Sequence, residues 1–273
     1  ASAKPENFIG LHFFSPVDRM ELVEIIKAEK TSAETLAKAY DYVLQIGKTP
    51  IVVNDSRGFY TSRTFGTFVQ EGCAMLAEGI PAAAIENAAR QAGMPVGPLA
   101  VIDETSLSVQ VMEQTVADLK AEGKPLPPEH PGQKVIVKMV KELNRPGRAA
   151  GGGFYEYPKD GRKFLWPELG RIFNGKGVKW DIEELKDRIL YRQAIETARC
   201  LEEGVLTTVH DANIGSIFGI GFPAWTGGAL QFINHVGPAK FVARADELAK
   251  KFGERFVPPG IIREKAAKGE FFV

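Results

Sequence analysis

Apolar positions along the chain change period at about residue 54. Two short runs rich in Ile, Val and Phe, FIGLHFF (8–14) and MELVEIIK (20–27), flank the polar SPVDR, where Pro16 marks a turn. They predict two strands. KTSAETLAKAYDYVLQIGK (30–48) then predicts a helix with a stripe of Leu36, Ala37, Tyr40, Val43 and Leu44. Thr31 with Glu34 gives it a capping-box start and Gly47 a C-terminal stop. TPIVVN (49–54) is a third strand. A hairpin, one helix and one strand do not complete an open sheet. Residues 1–54 are therefore expected to be the C-terminal part of an α/β domain.

After Asn54 the pattern is helical, with segments near 60–78, 81–92, 98–120, 131–143, 185–203, 206–216, 224–233, 236–252 and 259–268. RPGRAAGGGFYEYPKDGRKF (145–164) interrupts them. The helical part repeats itself. EGCAMLAEGI (71–80) matches ETARCLEEGV (196–205), with Glu71 over Glu196 and Gly79 over Gly204, an offset of 125. GMPVGPLA (93–100) resembles GFPAWTGGAL (221–230) at an offset of 128. The order of these turn motifs favours duplication over chance likeness of amphipathic helices. The expected division is 1–54, 55–160 and 161–273, an α/β remnant followed by two related, mainly helical domains.

Composition narrows the class. The 273 residues hold 34 Lys plus Arg against 34 Asp plus Glu, so no basic excess points to nucleic acid or an anionic membrane. Two cysteines, Cys73 and Cys200, form no disulfide framework, which suits a reducing, cytoplasmic compartment. No run reaches the roughly 18 apolar residues of a membrane span. The start, ASAKPENFIG, lacks Met and a signal-peptide pattern, and the chain reads as a piece of a longer polypeptide.

Each of the first two strands carries one misplaced polar residue. Glu24 shares its strand face with Leu22 and Ile26; His12 shares its face with Gly10 and Phe14. Antiparallel pairing about a turn near Asp18 puts position 12 opposite position 24, with Cβ atoms roughly 5 Å apart. A carboxylate on an apolar face is costly unless paired, and an imidazole supplies the partner. Such a pair fixes which ring nitrogen carries the proton, leaving the other free to act as a general base. Spacing alone also allows a pair that merely locks a hairpin. His130, His210 and His235 show no metal-ligand spacing, so no metal is expected.

FIGLHFFSPVDRMELVEIIKAEKTS followed by GKTPIVVNDSRGFYTSR resembles the 3-hydroxyacyl-CoA dehydrogenases, in particular the dehydrogenase half of the multifunctional α-subunits of bacterial fatty-acid oxidation complexes. GMPVGPLAVIDE, GGGFYEYP and GIGFPAWTGG extend the likeness along nearly the whole chain. The resemblance implies a Rossmann-type origin for 1–54. It also implies NAD-dependent oxidation of 3-hydroxyacyl-CoA, with His12 as base and Glu24 orienting it. Ser62 stands where the family commonly has a substrate-polarising Asn. Three outcomes stay open there: action through a water, transfer of the role to Thr61, or loss. Ser15 lies near the implied nicotinamide position, although relatives often have Asn there. Pro95 and Gly97 lie near the implied acyl pocket, or simply form a helix-connecting turn. Phe59, Tyr60, Phe65 and Phe68 are expected to pack in a core.

A dinucleotide cradle needs a strand, a Gly-rich turn and a helix N-terminus. Neither GGGFYEYP nor GIGFPAWTGG has that context. NAD is therefore expected to bind in the full-length protein and not in this piece, which is expected to be inactive alone. The resemblance further implies an enoyl-CoA hydratase activity in the parent chain, self-association through the helical domains and a possible thiolase β-subunit partner. The competing reading is a helical dimerisation or subunit-docking module without catalysis of its own.

Overall fold

The structure is a computed structural model describing residues 3–105, 109–126, 128–173, 175 and 177–273, with the backbone alone at 110 and 111. In chain order its elements are β1 (Gly10–Phe13), β2 (Leu22–Lys27), α1 (Ala33–Gln45), β3 (Thr49–Asn54), α2 (Thr61–Ala77), α3 (Ala82–Ala92), α4 (Pro98–Thr105), α5 (Val109–Ala121), α6 (Pro131–Val137), β4 (Tyr155–Glu156), β5 (Phe164–Leu165), α7 (Leu169–Phe173), α8 (Ile182–Glu202), α9 (Val209–Ile220), α10 (Ala229–Val236), α11 (Pro238–Phe252) and α12 (Gly260–Lys268). The chain forms two compact units, residues 1–67 with 190–273, and residues 68–189. This is a division by packing, whereas the sequence division is linear.

The first unit holds a three-stranded sheet in the order β1-β2-β3. β1 runs antiparallel to β2 with His12 opposite Glu24, and β2 runs parallel to β3 with Glu24 beside Ile51. The pleat sorts β2 into two faces. Val23 and Ile25 pack with Ala39 and Val43 of α1, and Ile9, Leu11, Phe13 and Leu36 close the edge of that cluster. Leu22, Glu24 and Ile26 turn to the other face. α9 covers this face closely because of its glycines: a Cβ at Gly215 would crowd Ile51 and Tyr60, and one at Gly219 would crowd Leu22.

Helix α1 departs from its expected details. Its N-cap is Ser32, whose Oγ accepts from the Thr35 amide at 3.1 Å. The Thr31 hydroxyl is already used, donating to the Phe8 carbonyl at 2.7 Å. The buried stripe runs through Leu36, Ala39 and Val43, while Tyr40 and Leu44 are exposed. Which side of the sheet the helix crosses selects the stripe, and the sequence does not state that side.

In the second unit two buried carboxylates organise the turns. Glu86 Oε1 accepts from the Leu99 amide at 2.8 Å at the start of α4, and its Oε2 accepts from the Tyr155 hydroxyl at 2.6 Å. Asp103 takes the amides of Phe154 and Tyr155 at 2.9 and 2.8 Å and the Tyr157 hydroxyl at 3.1 Å. A Cβ at Gly97 would overlap Glu86, and one at Gly153 would overlap Asp103. GMPVGPLAVIDE and GGGFYEY are thus two halves of one buried lock. Burial pushes both carboxyls above the usual carboxylate range, although hydrogen bonds to each oppose the shift.

Matched positions of the sequence repeat play matched parts. In the first unit, Asn213 Oδ1 accepts from the Leu230 amide at 3.0 Å at the start of α10, beside Gly228. Glu86 and Gly97 do the same for α4 in the second unit. Gly93 and Gly221 close α3 and α9 in the left-handed conformation.

The expected segment 98–120 is helical over α4 and α5, and the residues between them, 106–108, lie outside the described residues. Two expected helices are shorter or broken. The segment 131–143 passes from α6 into a π turn at Lys138–Glu142. In 224–233 a short 3-10 turn at Ala224–Thr226 precedes α10, since Gly227 and Gly228 both take positive φ. Among the described residues no helix is long and apolar enough to cross a membrane.

Candidate active site

The site is built on the antiparallel pair at the head of the first unit. Glu24 is fully buried on β2. Its Oε2 lies 2.8 Å from His12 Nδ1 across the strand pair. Four donors converge on the carboxylate. Oε1 receives the amides of Tyr60 at 2.9 Å and Thr61 at 3.1 Å; Oε2 receives the Thr61 hydroxyl at 2.7 Å and His12. The two amides belong to the start of α2, where backbone N–H groups have no helical partner and favour an anion.

This surround sets the histidine tautomer. A carboxylate is an acceptor, so Nδ1 carries the hydrogen and Nε2 of the neutral ring presents its lone pair. The imidazole is 30% exposed, enough for a substrate atom to reach it. Phe14 and Phe59 flank the ring at centroid distances of 4.5 and 6.1 Å. Phe59 takes a left-handed φ of 48° directly after Gly58, and this turn brings the next two amides onto Glu24. The neighbouring Tyr60 is buried beneath α9, where its hydroxyl donates to the Ala212 carbonyl at 2.7 Å. Burial pushes that phenol upward.

The other sequence candidates separate. Ser62 is exposed, one residue beyond Thr61 in the first turn of α2. Thr61 is buried and its hydroxyl is committed to Glu24. Ser15 is exposed in the turn after β1. Pro95 and Gly97 belong to the second unit, Pro95 exposed and Gly97 buried against Glu86. Cys73 and Cys200 are buried in helices, where burial pushes the Cys200 thiol up to about 12. The sequence signal for Thr61 and the Tyr60 amide was available. A buried carboxylate has about four acceptor positions, one histidine fills one, and the remainder call for a nearby helix N-terminus such as the one opening at GFYTSR.

No group of three potential metal ligands occurs among the described residues. Among the described residues the one βαβ crossover, β2-α1-β3, does not fit a pyrophosphate. Its loop, Ala28 to Ser32, contains no glycine. The N-terminus of α1 is capped by Ser32 and carries Glu34 in its first turn. That loop therefore lacks the Gly-rich turn that seats a pyrophosphate.

Residues 1–56 match the family model described as 3-hydroxyacyl-CoA dehydrogenase, NAD binding domain, and residues 58–157 match 3-hydroxyacyl-CoA dehydrogenase, C-terminal domain. The fatty acid oxidation complex subunit alpha of Shewanella amazonensis is 36% identical over 279 residues, covering all of this chain and 38% of that protein. The chain thus spans well under half the length of this relative. Two solved structures share the fold. The 3-hydroxybutyryl-CoA dehydrogenase of Escherichia coli has a TM-score of 0.70 at 20% identity, covering 96% of this chain and 70% of that one. The dehydrogenase part of multifunctional enzyme 1 from C. elegans has a TM-score of 0.66 at 24% identity, covering 96% and 60%.

Proposed function

Since the chain belongs to the 3-hydroxyacyl-CoA dehydrogenase family, we propose that His12 and Glu24 are the catalytic pair of an NAD-dependent (S)-3-hydroxyacyl-CoA oxidation carried out by the whole protein. The observation that carries this reading is His12 Nδ1, held 2.8 Å from a buried carboxylate that accepts three further donors.

NAD, for whose binding the family's first domain is named, is the two-electron acceptor that such an oxidation needs. This chain's own part is a proton transfer. His12 Nε2 takes the hydroxyl proton of the substrate, and the charge that appears on the ring is stabilised by Glu24 through Nδ1. Glu24 is already desolvated and already hydrogen-bonded, so the site does not reorganise as that charge develops. Phe14 and Phe59 limit water at the ring. Ser62 supplies a short hydroxyl donor beside the substrate oxygen, and Ser15 contributes near the nicotinamide. Pro95 and Gly97 are assigned to the acyl chain by the same family resemblance.

The same reading takes 1–54 as the end of a Rossmann-type domain, and 55–160 and 161–273 as duplicated helical domains. The share of the relative's length outside this chain leaves room for the pyrophosphate cradle and an enoyl-CoA hydratase activity. A thiolase β-subunit and a cytoplasmic setting complete the proposal. Self-association through the helical domains belongs to it as well. The test is NADH formation from (S)-3-hydroxybutyryl-CoA and NAD+. The whole protein turns over and the isolated 273 residues do not. Turnover by the isolated chain would refute the missing cradle, and a whole protein without turnover would refute the activity.

A further inference from the structure

We propose that Thr61 is a positioning residue for His12, acting through the carboxylate of Glu24. The inference rests on the reading of His12 as the base and adds a third member to its hydrogen-bonded chain. The Thr61 hydroxyl donates to Glu24 Oε2 at 2.7 Å, the same oxygen that receives His12 Nδ1 at 2.8 Å. Its side chain is fully buried, so the hydroxyl has no solvent alternative.

This use of a helical threonine is unusual within its own helix. The Thr67 hydroxyl donates back to the Thr64 carbonyl at 2.7 Å, the common habit of such residues. The buried Thr64 hydroxyl has no hydrogen-bond partner. Thr61 instead spends its proton on a carboxylate 37 residues away in sequence. The backbone amides of Tyr60 and Thr61 fix Oε1 and leave the carboxylate one freedom, rocking about the bond to its carboxyl carbon. The Thr61 hydroxyl removes that freedom and fills one acceptor position on Oε2. A single position then remains, aimed across the strand pair at Nδ1. Charge-assisted O–H donors of this length are among the stronger hydrogen bonds in proteins. The hydroxyl therefore fixes the ring's orientation through the carboxylate, which itself sets the tautomer, without touching substrate.

The test compares Thr61→Val, close in shape without the hydroxyl, with Thr61→Ser, which keeps it. In the whole protein Thr61→Val lowers kcat by roughly tenfold, the scale of lost partners behind an orienting carboxylate. KM for the acyl-CoA stays unchanged, and Thr61→Ser recovers most of the rate. Nitrogen-15 NMR of the His12 ring shows one tautomer, hydrogen on Nδ1, in the native protein and in Thr61→Ser. Thr61→Val keeps that tautomer, but its Nδ1 proton resonance moves upfield as the hydrogen bond to Glu24 loosens. Should Thr61→Val not fold, Thr61→Ala makes the same comparison without an added methyl group. An unchanged kcat or an unchanged Nδ1 proton resonance in the hydroxyl-free variant overturns the proposal. Activity surviving His12→Gln would instead overturn the base reading, so the two failures are told apart.

Discussion

Arg63 and Arg188, 125 positions apart, make the same pair of contacts in reverse. Arg63 on α2 reaches Glu196 of α8 and Glu203 just past its end at 2.7 and 2.6 Å; Arg188 on α8 reaches Glu71 of α2 and Glu78 just past its end at 2.5 and 2.6 Å. Each glutamate also stands 125 positions from its counterpart. The sequence repeat therefore has a physical content: each copy supplies the cation for the other copy's acidic pair.

The two arginines differ in burial, and that difference sets their energetics. The Arg188 side chain is 1% exposed against a fully buried Glu71, while Arg63 is 18% exposed. Glu196 also keeps Arg199 at 2.7 Å when Arg63 is removed. Despite the opposing effect of burial, Arg63 and Arg199 hold the Glu196 carboxyl below its ordinary value. Arg188→Met is expected to cost about 3–5 kcal/mol and Arg63→Met roughly 1–2 kcal/mol. Urea melts of the two variants check the order, and equal losses would contradict it.

Glycine positions give a contrast with opposite signs. Gly153→Ala forces a methyl group into the Asp103 carboxylate that holds the Phe154 and Tyr155 amides. It should cost about 1–3 kcal/mol. Gly66→Ala, inside α2, meets nothing within 4 Å and should gain roughly 0.5–1 kcal/mol from helix propensity. Thermal unfolding of both variants measures the pair. A stabilised Gly153→Ala would refute the buried lock.

Glu86 predicts a pH dependence. Burial raises its carboxyl above the ordinary 4.5, so the folded state keeps a proton that the unfolded chain releases. The contribution to stability is present below about pH 4.5 and is lost as pH rises through the raised folded value. Glu86→Gln keeps an acceptor for the Leu99 amide and removes the titration. The native protein should therefore lose more stability than Glu86→Gln between pH 4.5 and 7, read as the difference in thermal midpoints. Parallel curves would count against it.

Period-2 alternation and a proline-marked turn were enough to place His12 opposite Glu24, because a strand register has only one choice once its turn is set. The ends of the helices were less legible. Thr31 and Ser32 are equally good caps by residue type, and the carbonyl of Phe8, 23 residues from Thr31, decides between them. Tyr40 and Leu44 fit a helical stripe as well as Ala39 does, until the sheet selects the face. Thr61 was considered only as a stand-in for a substrate contact. Its bond to Glu24 depends on the left-handed turn at Gly58 and Phe59, which no periodicity displays. The carboxylates of Glu86 and Asp103 were hidden for a similar reason, since their partners at Tyr155 and Phe154 lie 69 and 51 residues further along.

The most direct measurement is kcat for NADH formation from (S)-3-hydroxybutyryl-CoA by the whole protein carrying His12→Gln, with the fold checked by circular dichroism. Loss of the base should lower kcat by roughly 10²–10⁴-fold while the fold stays intact. A folded His12→Gln protein that turns over at the native rate would contradict the assignment of the proton transfer to His12.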